Sequence, residues 1–109
     1  MGTLAIGAVV LVRFPFSDLS ASKLRPAVVL ACVDRDDWIL CQITSQSRPD
    51  GQSVPLLVAD FERGRLTLDS NIRPQRLFTV EQGVILYAAG KIKNTKLQEV
   101  KARLRQLFA

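Results

Sequence analysis

The sequence predicts a mainly β domain: a small, strongly bent antiparallel barrel with one C-terminal helix. Short β-branched and apolar runs recur between stretches rich in Pro, Gly, Asp and Ser, which is the spacing of strands and turns. Only the last segment switches to a helical period. With 109 residues, 48% of them hydrophobic and 23% charged, the chain is expected to form a single domain over residues 1–109 around a modest core.

The first run, residues 7–14 (GAVVLVRF), is apolar and β-branched and stops at Pro15. A loop, PFSDLSASKL, follows. Pro26 biases Arg25 away from helix, and AVVLACV then reads as a second strand, apolar enough to be buried on both faces. The polar turn DRDD leads to a third strand, WILCQITS, and the two form a hairpin. After the loop SRPDGQS come a short strand, VPLLV, and a turn or short helical piece, FERGRL. IRPQRLFTV and VILYAAGKI are two further strands around EQG. Leu97, Val100, Leu104, Leu107 and Phe108 form one helical stripe, and Thr95 with Gln98 fits a capping box, so the helix is expected over residues 95–108.

Fifteen Lys and Arg against ten Asp and Glu give a net charge of +5, which favours an acidic partner such as nucleic acid. The excess lies in residues 91–109, where Lys91, Lys93, Lys96, Lys101, Arg103 and Arg105 face only Glu99. Cations near a helix C-terminus also complement its dipole, so this run alone does not identify a phosphate-binding stripe. The two cysteines, Cys32 and Cys41, lack CxxC or zinc-site spacing and are expected to be buried, reduced thiols. The apolar run 4–12 has no preceding positive charge, and no stretch approaches the ~20 apolar residues that a membrane helix needs. A cytoplasmic protein without a membrane partner is therefore expected.

There is no histidine, which excludes Ser-His-Asp and Cys-His nucleophile systems and His-ligated metals. Walker, GxGxxG and EF-hand patterns are absent as well. An enzyme built from this chain works through Arg, Lys, carboxylates, hydroxyls or backbone groups. Arg25 and Thr44 are the candidate pair. With a four-residue turn closed by Val33 and Trp38, Thr44 falls opposite Ala27, and Arg25 becomes its diagonal neighbour on the same face. An odd turn or a bulge would separate them. A guanidinium and a hydroxyl so placed fit one phosphate between them. An Arg before a strand-initiating Pro and a Thr in a strand also need no function, and both readings stand on these residues alone.

The blocks GAVVLVRFPFSDLSASKLRPAVVL, ITSQ at residues 43–46, SNIRPQRLFTV and AAGKI resemble the MazF/PemK family of toxin–antitoxin ribonucleases, especially its PemK-like branch. The resemblance implies an SH3-like antiparallel barrel that forms a homodimer and cuts single-stranded RNA without metal or other cofactor, leaving a 2′,3′-cyclic phosphate. It implies Arg25 and Thr44 as catalytic residues. Lys23, beside Arg25, and Ser45, Gln46 and Arg48, which follow Thr44, are then expected along the RNA path, with the loop 16–24 over the site. A cognate antitoxin protein is the implied partner. Ala8 and Ala21 depart from the family, which usually has an acid at the first position and often, in this branch, Gly at the second. The alternative is a non-catalytic SH3-like module binding nucleic acid or peptide. A structural subunit that uses its C-terminal helix as a partner surface is a third reading.

Overall fold

The computed structural model describes residues 4–15, 22–46 and 51–109, and of residues 14, 15, 22 and 23 the backbone only. Seven antiparallel strands form one sheet curled into a half-barrel: β1 (Ala8–Pro15), β2 (Ser22–Cys32), β3 (Asp37–Thr44), β4 (Val54–Leu56), β5 (Phe61–Gly64), β6 (Ser70–Glu81) and β7 (Ile85–Ile92). Their order across the sheet is β4-β6-β3-β2-β1-β7-β5. The helix α1 spans Asn94–Leu107. It is the only helix longer than one turn among the described residues, and none is long and apolar enough to cross a membrane.

The central strands are apolar at consecutive positions because both faces of the sheet are covered. On one face Val9, Val28, Cys41, Ile43, Ile72 and Ile92 pack with Leu97 and Val100 of α1. On the other, Val10, Val12, Ala27, Val29, Trp38 and Leu40 form a second cluster, flanked by Ile6, Phe78 and Ile85. Val28 and Val29 are neighbours in sequence, belong to different clusters, and are both fully buried. That is the two-sided burial expected of β2.

The helical stripe packs through Leu97 and Val100, and Leu104 leans on the same cluster. Phe108 does not join it; it lies past the end of the helix and is exposed. The expected capping box is also absent. The helix begins a residue early, Lys93 is the N-cap without a side-chain bond, and Gln98 Nε2 donates instead to Asn94 Oδ1 at 3.3 Å. Thr95 is thereby inside the first turn. The entry to α1 is held by Lys96, whose ammonium donates to Pro55 O at 2.9 Å and Glu99 Oε1 at 3.0 Å and lies 3.6 Å from Asp60 Oδ2.

FERGRL, expected as a turn or helical piece, contains strand β5; the one-turn helix precedes it at Val58–Asp60. Two glycines permit the pairing. Gly64 has φ +69°, and a Cβ there would collide with Ala89 O, while a Cβ at Gly90, its register partner, would collide with Arg63 O. The cysteines differ from expectation as well. Both are free, but only Cys41 is buried; Cys32 is exposed at the hairpin end and donates to Asp34 O at 2.9 Å.

Candidate active site

The β2–β3 hairpin departs from the expected register twice. The last pair is Cys32↔Trp38, so the turn holds an odd number of residues, 33–37, with Val33 N donating to Asp37 O at 3.0 Å. A bulge at Leu30 then shifts the register again, to Val29↔Leu40 and Ala27↔Gln42. Each irregularity alone would move Arg25 and Thr44 to opposite faces, and together they restore the parity. Continued two residues past Ala27↔Gln42, the register sets Arg25 across from Thr44 directly, where a diagonal placement was expected.

The β2–β3 ladder ends at Ala27↔Gln42, and a cleft lies just beyond it.

Arg25, Thr44 and Ser45 line this cleft, of about 230 Å³, together with Leu66, Thr67 and Leu68 from the β5–β6 connection. Arg25 is held in place by Val12, its register partner on β1, and is half-buried, with Nε a buried atom. Limited access to water strengthens the field of its charge on anything that enters. Thr44 Oγ1 accepts a hydrogen bond from the Gln46 backbone N–H at 3.2 Å, which leaves its own O–H to donate. Thr44 pairs across β6 with Asn71, whose Nδ2 donates to Gln46 O at 3.4 Å. Buried Ser70 closes the cleft and spends its hydroxyl on Leu68 O at 2.9 Å.

Among the other sequence-predicted residues, Ser45 joins the cleft, and exposed Gln46 contributes its backbone to Thr44 and does not line the cleft. Lys23 lies in β2 opposite Phe14, two residues from Arg25; its side chain is outside the described residues. Arg48 and the loop residues 16–21 are outside them too. The sequence reading missed the wall at residues 66–68, the role of Asn71, and an excursion in β6. Between Cys41↔Leu77 and Ile43↔Ile72, residues 73–76 of β6 oppose Gln42 alone. Pro74 was the available signal, since proline inside a strand marks a bulge or an edge. Cys41 Sγ donates to Arg73 O within this excursion at 2.8 Å, and burial pushes its thiol up to about 12.

A larger cavity of about 540 Å³ lies between the N-terminal segment and β7, walled by Leu4, Ala8, Leu86 and Tyr87 with Arg63 as its one charged lining residue. It offers no paired groups for chemistry. The smaller cleft, with a guanidinium facing a hydroxyl, is the candidate site.

Comparison with known proteins agrees with this architecture. Residues 5–108 match the profile of a family described as PemK-like, MazF-like toxin of type II toxin–antitoxin system. No curated protein matches in sequence. Among solved structures, MazF from Deinococcus radiodurans superposes with a TM-score of 0.76 at 18% identity, covering 99% of this chain and 98% of that one. An endoribonuclease from a mycobacterial species gives 0.74 at 13% identity over 99% and 93% of the two chains. A mycobacterial endoribonuclease in complex with its cognate antitoxin gives 0.75 at 13% identity over 97% and 95%. At these identities the likeness is one of fold.

Proposed function

The chain belongs to the PemK-like, MazF-like toxins of type II toxin–antitoxin systems, and from that premise we propose that it is an endoribonuclease that cuts single-stranded RNA at the Arg25–Thr44 cleft. The observation that carries the reading is the meeting of these two side chains, from neighbouring strands, in one cleft. The 2′-hydroxyl oxygen of RNA forms a bond to the adjacent phosphorus, the bond from phosphorus to the 5′-oxygen breaks, and the products are a 2′,3′-cyclic phosphate and a 5′-hydroxyl. The proton lost by the 2′-hydroxyl is balanced by the one the 5′-oxygen gains. Arg25 donates to the non-bridging oxygens as charge builds on them, and Thr44 donates its O–H to the same phosphoryl group. Neither role calls for a metal or other cofactor.

The toxin acts as a homodimer in the cytoplasm, where its substrate is, until a cognate antitoxin with an acidic segment covers the basic cleft. Lys23, Ser45, Gln46 and Arg48 extend the RNA path on either side of the pair. Support for an antitoxin partner comes from the solved mycobacterial complex of the same fold.

The test is incubation of purified wild type and Arg25→Ala with a long single-stranded RNA in EDTA, followed by mapping of the fragment ends. Wild type should give discrete fragments ending in cyclic phosphate. Arg25→Ala should lose about 100-fold or more in rate while keeping its fold, as removal of a charge-stabilising donor does. Cleavage retained by the variant refutes the assignment of the site. Salt-sensitive RNA binding without cleavage by wild type indicates a binding module instead.

A further inference from the structure

We propose that Asn71 is a positioning residue for this site, acting through the backbone of Gln46 to aim the hydroxyl of Thr44; the proposal rests on the ribonuclease reading above. Thr44 is the last residue of β3. Its Oγ1 is held by the Gln46 N–H at 3.2 Å, and the other side of that residue, Gln46 O, is held by Asn71 Nδ2 at 3.4 Å. Asn71 is suited to the task because it is Thr44's register partner on β6 and is itself paired to Pro55 of β4 on its other side. The chain that leaves β3 is thus tied to a strand secured from both directions. With one lone pair engaged by Gln46, the Thr44 oxygen favours a rotamer whose O–H is directed away from the turn, and Arg25 lines the same cleft.

Asn71 touches no RNA in this scheme. Its loss should lower kcat and leave KM nearly unchanged, by about 10-fold or more, as loss of a group that orients a ligating or reacting side chain does. Asn71→Asp, which keeps the shape, removes the donor and adds a negative charge, should lose at least as much rate as Asn71→Ala does.

The experiment measures single-turnover RNA cleavage by wild type, Asn71→Ala, Asn71→Asp, Thr44→Ala and the Asn71→Ala/Thr44→Ala double variant. It is accompanied by hydrogen–deuterium exchange at the Gln46 amide in the absence of RNA. The expected result is that Asn71→Ala loses rate only when Thr44 is present and that Gln46 exchanges faster in it. Wild-type-like cleavage by Asn71→Ala, or a loss that simply adds to that of Thr44→Ala, overturns the inference and leaves the ribonuclease reading intact. Intact RNA with wild type overturns the ribonuclease reading instead. The exchange then decides the relay by itself: faster exchange in Asn71→Ala sustains it, and unchanged exchange overturns it.

Discussion

At the scale of single residues, the two thiols report different surroundings. Cys41 is buried and its thiol is pushed up to about 12 from 9.0 by desolvation, whereas Cys32 is exposed. Below pH 9 the Cys41 thiol is neutral in both folded and unfolded chains and contributes no pH dependence. Between pH 9 and 12 the unfolded chain releases this proton and the folded one keeps it, so stability falls as pH rises. The slope assigned to this one group approaches ~1.4 kcal/mol per pH unit. Urea melts of wild type and Cys41→Ala between pH 8 and 11 should therefore converge as pH rises, the variant being less stable at pH 8 and losing less thereafter. A thiol-reactive reagent at pH 8 should label Cys32 in the folded protein and spare Cys41.

At the scale of elements, the strands and the hairpin were legible because their signals are local: β-branched runs, a DRDD turn and a prolyl boundary. The shared face of Arg25 and Thr44 was legible as well, although the register behind it was not. An odd turn and the bulge at Leu30 each invert the parity, and no residue type in VVLAC announces a bulge. Strand β5 was hidden because FERG has one buried anchor, Phe61, and owes its pairing to the contact of Gly64 with Gly90. The same contact yields a prediction. Gly51 and Gly64 both have positive φ, but among the described residues a Cβ at Gly51 meets nothing within 4 Å while one at Gly64 runs into backbone. Gly51→Ala should cost about 1 kcal/mol for its backbone conformation alone. Gly64→Ala should cost about 2 kcal/mol or more, because Ala89 must also move. Equilibrium denaturation of the two variants measures the difference. Asn71, proposed above as a positioning residue, was not legible in the sequence because its place opposite Thr44 depends on the β6 register, and the four-residue excursion at 73–76 makes that pairing unreadable from spacing.

At the scale of the whole molecule, a chain of net charge +5 should bind RNA with an affinity that falls steeply as salt rises. Each phosphate contact removed lowers the slope of log affinity against log salt by about 0.7 for a single strand. Titrations between 50 and 300 mM salt, conditions chosen around the usual ~100 mM scale, should thus give Arg25→Ala a slope smaller by about that amount. Thr44→Ala, which removes a neutral donor, should leave the slope unchanged. Both variants should keep the wild-type fold, since neither side chain belongs to the buried clusters on the two faces of the sheet.

Arg25, Thr44 and Asn71 stand on three adjacent strands, β2, β3 and β6, while residues 66–68 of the β5–β6 connection supply part of the cleft wall. On the ribonuclease reading proposed above, the reacting groups belong to the sheet, and part of the surface meeting the neighbouring nucleotides belongs to a loop. On that reading, insertions and exchanges in the loop should alter which RNA sequence is attacked while the cutting groups stay in place.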